Sequence, residues 1–455
     1  MQVAQNPGLT GTLAEYATST SVDALPGPIR ELGKLIILDE FASARFGAGR
    51  PAGRLAARFV VSQAARAEAR VLGTRYRSSA ELSALANGTA GHADEIDGAH
   101  VVGGHPGATL VHAAAAVAQL RHRGGAELIN AVVLGYDVGT RLIDACGGTF
   151  RLKDEFHLHA DFLHAVGAAV ACGRLIGLEP RRMANALALA TFRANGLCAL
   201  FREDNHVSKA FCNGQYASAG VGAALMAEAG LEGVADVIGE RHGLLDAWGV
   251  EDGRERVVRG LGTEFGVNGA NFKFLRAGYP IHAAVEAAME LVAAHGITPD
   301  AIRSVLVGMP GNAMRVVDGR TMHNICLQDM LGAALVRGGL SLTASPFPEI
   351  QTDPVFTRLR ERITLRVDPG LERDQPDGRG AVVTIDLADG TTVDRRVDHP
   401  RGHSLRGRPT WPELGAKWRE ALSGVDTDSW ISAAAALEQL DDVGTFAERF
   451  AESRH

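Results

Sequence analysis

Residues 87–120 read NGTAGHADEIDGAHVVGGHPGATLVHAAAAVAQL, and the two halves of this stretch differ in chemistry. The second half is nearly all alanine, valine and leucine, which predicts a buried helix in close contact with its neighbours. The first half interleaves ionisable side chains with glycines, namely His92, Asp94, Glu95, Asp97, His100 and His105. The question is why so much ionisable chemistry directly precedes a buried helix.

The helical pattern extends over more than half of the chain. From about Leu13 to Gly262, apolar residues recur with helical spacing, as in LPGPIRELGKLIILDEFASARFG at residues 25–47. Alanine-rich segments follow with the same spacing, separated by short turns that contain glycine. We therefore predict a large all-helical domain over residues 1–265.

The pattern changes after about Phe265. Residues 302–310, 362–368 and 381–398 alternate as strands do, and Asp389-Gly390 between two alternating runs indicates a hairpin. Helix-like runs lie between them at 282–295 and 325–338. We predict a smaller α+β domain over residues 266–400, with helices in 401–455 completing the large domain. The predicted fold class is mainly α.

Length and composition limit the function classes. A chain of 455 residues favours two domains. A net charge of −7 does not indicate a surface that binds nucleic acid. No apolar run approaches the ~20 residues of a membrane span, and the first residues lack the pattern of a signal peptide. The five cysteines are scattered without a C-x-x-C pair. These features predict a cytoplasmic protein that binds neither nucleic acid nor membrane.

Three polar clusters stand before small-residue helices. The first cluster spans residues 92–105, the second spans 157–164 with His157, His159 and His164, and the third spans 202–209 with His206 and Lys209. Helix N-termini carry unpaired N–H groups and favour anions. If the three ends converge, they form a pocket suited to a small carboxylate, with histidines that move protons near neutral pH.

Plain structural roles compete with this interpretation. Each cluster taken alone is also what caps and turns look like, and His112 and His164 are interpreted as hydrogen-bonded core histidines. The pair His157 and His159 is half of a possible metal site, but residues two apart do not share a helical face. No H-x-x-x-H motif or cysteine cluster accompanies them, so we predict no metal site.

The order of these motifs resembles the MmgE/PrpD family. The segments that carry the resemblance are ANGTAGHADEIDGAH, HPGA, FHLHA, GAAVACGRLIGL and SKAFCNGQYASAGVGAAL, with NFKFLRAGYPIHAAVEAAMEL and HPRGHSLRGRPTWPELGAKWRE further on. The resemblance implies a large helical domain, an α+β lid domain, a homodimer, and an active site in the cleft between the two domains. It implies no metal or organic cofactor. It also implies small di- and tricarboxylate substrates from which a proton next to a carboxylate is removed, followed by loss of water, loss of CO₂ or reprotonation.

The resemblance carries over to particular residues. The family's acidic position falls on Asp94, with Asp97 beside it, and the family's histidine and lysine fall on His105 and Lys209. The histidine of the second cluster is either His157 or His159. Gly98 stands where the decarboxylase branch carries threonine, and KFLRAGYP differs from the usual segment at that position, which makes decarboxylation the least favoured reaction.

These residues suggest roles at a carboxylate site. We expect His157 or His159 to act as the base, and Lys209 to hold carboxylates with help from Arg202 and Lys273. Asp94 is expected to orient His105 or to take up a hydroxyl leaving group, and nearby acids favour a charged His105. The predicted function is a cofactor-free lyase or isomerase, dehydratase-like or epimerase-like. The alternative is a non-catalytic homologue that binds a carboxylate as a sensor or interaction protein.

Overall fold

The computed structural model describes residues 8–193, 195–343, 345, 347, 349–373 and 378–451. The chain divides into two compact units. Unit 1 comprises Met1–Ala93, Asp97–Ala270 and Asp426–His455, and unit 2 comprises Asp94–Ile96 and Asn271–Val425. Residues 1–7, on which the signal-peptide prediction partly depends, lie outside the described residues.

Unit 1 is built from helices. Its helices are α1 Gly8–Ser19, α2 Gly27–Gly47, α3 Pro51–Ser62, α4 Ala80–Gly91, α5 Pro106–Leu120, α6 Gly125–Ala145, α7 Gly148–Phe156, α8 His164–Ile176, α9 Pro180–Arg193, α10 Ser208–Glu228, α11 Leu244–Ala247 and α12 Gly253–Val258. Short 3-10 helices occupy Ala160–Leu163 and Cys198–Arg202. Two-residue strands are β1 Ala69–Arg70, β2 Arg77–Ser78 and β3 Ala99–His100, and β4 follows at Ala270–Asn271.

Small residues set the helix contacts of unit 1. Helix α10 packs against α4, α5 and α8, and α8 also packs against α6. A Cβ added to Gly167 of α8 would come within 2.4 Å of the Gly135 carbonyl oxygen on α6. A Cβ added to Gly220 of α10 would lie 2.4 Å from the Cβ of Ala168. Helices with glycine and alanine at these contacts approach closely, so the alanine-rich helices are buried as predicted.

Unit 2 combines a four-stranded sheet with helices. The strands are β5 Ile302–Met309, β6 Ile363–Val367, β7 Ala381–Leu387 and β8 Thr392–Val397, in the order β6-β5-β7-β8. Strands β5 and β6 are parallel and the other neighbours are antiparallel. The helices are α13 His282–His295, α14 Gly311–Val317, α15 Leu327–Arg337, α16 Pro354–Glu361, α17 Pro369–Glu372 and α18 Trp411–Ala421.

One face of this sheet is buried under a helix. Helix α13 packs against β7 and β8, and the alternate residues Ala381, Val383 and Ile385 of β7 have no exposed surface. Between β7 and β8, Gly390 adopts φ +93°, which a glycine reaches without strain. The predicted strands, hairpin and intervening helices are all present, and the mainly α fold class with a smaller α+β part is confirmed.

The division into units differs from the predicted domain bounds at three places: residues 94–96 and 401–425 group with unit 2, and residues 266–270 group with unit 1. Helix α18 groups with unit 2, whereas the sequence assigned residues 401–455 to the helical domain. The Lys417 ammonium of α18 is buried and donates to the Ile96 carbonyl oxygen at 3.0 Å, which ties it to the short segment Asp94–Ile96. Only the last helices, α19 Thr427–Ala435 and α20 Val443–Glu448, group with unit 1.

Among the described residues, no helix combines the length and the apolar character needed to cross a membrane.

Candidate functional site

The first and second polar clusters meet at a buried carboxylate. Asp161 lies in the 3-10 helix Ala160–Leu163 and has no exposed surface. Its Oδ2 atom accepts a hydrogen bond from the His105 backbone N–H at 3.2 Å and lies 3.6 Å from the Nε2 atom of His159. The His159 ring is also buried and meets the edge of Phe201, with ring centroids 5.2 Å apart. The chain therefore brings residues 105 and 159 to one place.

A second buried carboxylate joins two histidines within the first cluster. The Nδ1 atoms of His92 and His105 lie 2.9 Å and 3.1 Å from the Oδ2 atom of Asp97, and the two rings lie 4.0 Å apart. The His105 Nδ1 atom also lies 3.0 Å from the Gly98 carbonyl oxygen, so it faces two acceptors and carries the ring proton. The Gly98 N–H in turn donates to the buried Glu40. His105 is thereby held in one orientation.

The third cluster contacts the first through a histidine. The Nε2 atom of His206 lies 2.7 Å from the His92 carbonyl oxygen, and the two rings lie 4.9 Å apart. Lys209, in the first turn of α10, is buried, with 7% of its surface exposed. Residues of all three clusters therefore contact one another within unit 1.

The N-terminus of α10 differs from the expected open anion site. The Glu203 carboxylate accepts hydrogen bonds from the backbone N–H groups of Val207 and Lys209, at 3.2 Å and 2.9 Å, and a further one from Ser208. These are the N–H groups that a substrate carboxylate would have used. At this helix, a residue of the chain occupies the place that the sequence analysis gave to the substrate.

Two predicted site residues lie outside this cluster. His157 is exposed at the end of α7 and adopts φ +57°, a left-handed conformation that is uncommon for residues other than glycine. Its backbone carbonyl accepts from Cys198, but its ring makes no described contact with the buried histidines. Arg202 is also exposed, at the end of its 3-10 helix. Of the two candidates for the base, the buried one is His159.

In unit 2, Asp94 and Lys273 are each engaged in an ion pair. The Asp94 carboxylate accepts from the Arg276 guanidinium at 2.6 Å, and the buried Lys273 ammonium donates to Glu95 at 2.6 Å. Asp94 was expected to orient His105 or to take up a hydroxyl leaving group, whereas the carboxylate that lies against the His105 ring is that of Asp97, three residues later. Lys273 is held by a neighbouring acid rather than presented as an isolated charge.

Burial and neighbouring charge separate the protonation states in unit 1. Burial alone raises the pKa of Asp161, but the imidazoles of His159, His105, His164 and His92 lower it to about 2. Burial lowers the pKa of His164 to about 4, against the opposing effect of Asp161. At neutral pH, Asp161 is therefore ionised and His164 is uncharged.

The sequence analysis missed Asp161, His92 and Arg276 as site residues. Asp161 follows two residues after His159, but a lone aspartate among apolar residues gives no signal of its own. The available hint was the GGH turn at residues 103–105. A Cβ added to Gly104, which has φ +84°, would come within 2.0 Å of the Asp161 Oδ1 atom. The glycine at 104 is what allows this carboxylate to lie against the backbone.

Within unit 1, one set of described residues has donor atoms close enough to one another to hold a metal ion. The ligand atoms of His92, Asp97 and His105 lie within 4.8 Å of one another, and all three residues are buried. The hydrogen bonds of this set favour a protonated His105 Nδ1 atom over a metal-bound one. That nitrogen faces the Gly98 carbonyl oxygen, which can only accept a hydrogen bond. A nitrogen that carries a hydrogen cannot also bind a metal.

Buried histidines joined by carboxylates thus lie in a helical unit, and the second unit of the chain combines a sheet with helices. The chain belongs to the MmgE/PrpD family. Residues 11–255 match the MmgE/PrpD N-terminal domain and residues 276–439 match the MmgE/PrpD C-terminal domain.

Relatives of known name share limited identity with this chain. A cis-aconitate decarboxylase of Aspergillus terreus is 28% identical over 293 residues, which is 62% of this chain and 59% of the relative. A 2-methylcitrate dehydratase of Cupriavidus necator is 30% identical over 304 residues, or 61% and 60% of the two chains. A cis-aconitate decarboxylase-like protein of Aspergillus oryzae is 25% identical over 455 residues, or 92% and 91%. The matches to the two named enzymes thus cover about 60% of the length of each relative.

Proposed function

We propose that this protein is an MmgE/PrpD-type enzyme that removes a proton next to a carboxylate of a small di- or tricarboxylate. The observation that carries the proposal is the convergence of the three polar clusters. It gathers His92, Asp97, His105, His159 and Asp161, and the His206 ring, just before helix α10 and Lys209, contacts the His92 carbonyl oxygen. The named relatives, a decarboxylase and a dehydratase of such acids, support the substrate class.

Roles follow from the contacts of each residue. A proton on a carbon next to a carboxylate is weakly acidic, so its removal needs a positioned base and cations that hold the growing negative charge. We assign the base to His159, which is buried beside Asp161. His105, held by Asp97, binds a carboxylate or donates a proton in the later step. Lys209 supplies a compact positive charge at the head of α10.

Dehydration and epimerisation fit the chain better than decarboxylation does. Dehydration and epimerisation can both begin with this proton removal, followed by loss of hydroxide or by return of a proton. Decarboxylation instead loses CO₂ and needs a proton delivered to the carbanion that remains. Gly98 occupies the position where the decarboxylase branch carries threonine, and its carbonyl oxygen faces His105. The side chain that distinguishes that branch is therefore missing beside the proposed proton donor.

In the direct test, the purified protein is incubated in D₂O with citrate, 2-methylcitrate, cis-aconitate and aspartate-derived diacids. NMR spectra then show whether each acid is converted or takes up deuterium. We expect turnover of at least one acid, or exchange of a C–H proton next to its carboxylate for deuterium. Saturable binding without exchange or turnover would favour the alternative, a non-catalytic carboxylate-binding homologue. The ion pairs that already engage Asp94 and Lys273 are the observation that favours this alternative.

We propose that the reaction needs no metal, because the His105 nitrogen nearest Asp97 bears a proton. Dialysis against EDTA should leave the measured activity unchanged. Activity that is lost with EDTA and restored by one divalent metal would contradict this, and would assign the set His92, Asp97 and His105 to that metal.

We further propose a homodimer, which the family resemblance implies. Helix α3 carries Leu55 and Phe59, one helical turn apart and each 51% exposed, and Leu197 is 65% exposed. Exposed apolar side chains in pairs are typical of surfaces covered by a partner. Light scattering should give twice the monomer mass, and a monomer at micromolar concentration would contradict the proposal.

A further inference from the structure

We propose that Asp161 is a positioning residue, which orients the His159 imidazole and holds the backbone at His105. The inference rests on the proposed function, because it concerns the base of that same site. Neither the sequence pattern nor the resemblance pointed to this aspartate. Its contacts within unit 1 carry the argument.

The first step is geometric. One oxygen of Asp161, Oδ2, accepts the His105 backbone N–H at 3.2 Å and faces the Nε2 atom of His159 at 3.6 Å. The same oxygen thus fixes the start of α5 and one end of the His159 ring. With Nε2 directed at the carboxylate, Nδ1 on the other side of the ring is the nitrogen that receives the substrate proton.

The second step concerns charge. A buried carboxylate is unfavourable unless a partner compensates its charge. Four imidazoles lower the pKa of Asp161, namely those of His92, His105, His159 and His164. The charge of Asp161 in turn raises the pKa of the Cys212 thiol and of the Tyr216 phenol. His164 is uncharged at neutral pH, because burial lowers its pKa to about 4. The favourable charge interactions of Asp161 therefore come from the other imidazoles, among which His159 lowers the Asp161 pKa the most.

The third step is that the fold makes room for this carboxylate. Gly104 adopts φ +84°, and any Cβ there would overlap the Asp161 Oδ1 atom at 2.0 Å. Gly103 also has a positive φ, of +100°. Two consecutive glycines before His105 thus place the backbone against Asp161, an arrangement that other residues would strain.

The consequence for proton transfer follows directly. When His159 takes the proton from the substrate carbon, the bonding electron pair stays on the substrate and spreads into its carboxylate. The imidazole becomes a cation, and the ionised Asp161 beside it stabilises that cation. Because the Oδ2 atom of Asp161 faces the base and the His105 backbone N–H, we assign Asp161 an action through His159 and not on the substrate.

The test uses histidine labelled with ¹⁵N in the full-length protein without substrate, with His159→Gln to assign the resonance. In wild type, we expect the neutral His159 ring to carry its proton on Nε2, facing Asp161. In Asp161→Asn, we expect the titration midpoint of His159 to fall by about one pH unit or more. The matched control is Asp236→Asn, which removes another buried carboxylate, one that caps the start of α1. The control should lower stability and leave the His159 midpoint in place.

Two results would overturn the inference. One is a proton on Nδ1 of the neutral His159 ring in the wild-type protein. This result can be obtained whether or not any variant folds. The other is an unchanged His159 midpoint in folded Asp161→Asn. Because no substrate is involved, these results are separate from a failure to find turnover, which would count against the proposed function alone. If one of the tested acids turns over, Asp161→Asn should lower kcat at least tenfold with KM within about threefold of wild type.

Discussion

At the scale of single residues, two buried carboxylates organise the histidines of unit 1. Asp97 joins His92 to His105, and Asp161 joins His105 to His159. His105, Asp97 and His159 were candidates from the sequence, and Asp94 was expected to orient His105 or to take up a hydroxyl leaving group. The carboxylate that lies against the His105 ring is that of Asp97, three positions further on, with its Oδ2 atom 3.1 Å from Nδ1.

Lys209 is the residue whose replacement we expect to be most damaging to activity. It is buried in the first turn of α10, beside the helices that carry the histidine clusters. Lys209→Ala should retain the helical fold and lose turnover by a hundredfold or more. Lys209→Arg should also fail, because a planar guanidinium does not replace a compact ammonium in a tight site. Circular dichroism and a substrate assay measure both effects, and activity within a few-fold of wild type in the alanine variant would remove Lys209 from the mechanism.

The two histidines of the second cluster make a matched pair of variants. His159 is buried beside Asp161, whereas His157 is exposed two residues earlier. We expect His159→Gln to abolish solvent deuterium exchange at the substrate C–H, and His157→Gln to retain it. His105→Gln should weaken binding or slow the later step while some exchange remains. If exchange survives in His159→Gln and is lost only with His105→Gln, the roles of the two histidines are reversed.

At the scale of elements, glycines decide how closely the helices of unit 1 approach. Gly167 of α8 lies against Gly135 of α6, where an added Cβ would reach the Gly135 carbonyl oxygen at 2.4 Å. Gly167→Ala should destabilise the protein by about 1–3 kcal/mol, because backbone must move to admit the methyl group. The matched control is Gly27→Ala at the start of α2, where no atom lies within 4 Å of the added Cβ.

Chemical denaturation measures this difference. The control should be neutral or slightly stabilising, because alanine reduces the entropy of the unfolded chain. Equal stability of the two variants would show that the backbones of α6 and α8 move apart at little cost in free energy, and would contradict the prediction.

At the scale of the whole molecule, three buried histidines make stability depend on pH. Burial lowers the pKa of His112 and His282 to about 3 each, and that of His164 to about 4. Their unfolded pKa is about 6.5, so between pH 6.5 and 4 the unfolded chain binds protons that the folded protein excludes. The free energy of unfolding is therefore unaffected by these histidines above pH 6.5 and decreases as the pH falls below that value.

We therefore expect the denaturant concentration at the unfolding midpoint to be lower at pH 5 than at pH 7.5. His112→Leu should reduce this pH dependence by about 1 kcal/mol per pH unit, since it removes one of these protonation sites. The His112 ring was predicted to be hydrogen-bonded in the core. It is in the core, but neither ring nitrogen has a hydrogen-bond partner among the described residues. His242→Asn, at an exposed left-handed position that asparagine accepts, is the control and should leave the slope unchanged.

The sequence by itself determined the elements and the fold class. Helical periodicity located α2 at residues 27–47, and strict alternation located β5, β7 and β8. These patterns are local, because they reflect which face of one element is buried. The order of the motifs was also enough to identify the family, which the matches over residues 11–255 and 276–439 confirm.

Only the tertiary structure decided which ionisable residues meet. His105 and Asp161 are 56 positions apart, and the contact between them depends on how α5 and α8 pack. In the same way, Asp94 was matched to an acidic site position from its motif, yet Arg276, 182 positions away, pairs with it. A side chain's hydrogen-bond partner is set by distant parts of the chain, so sequence spacing can suggest that a cluster forms but cannot determine its contacts.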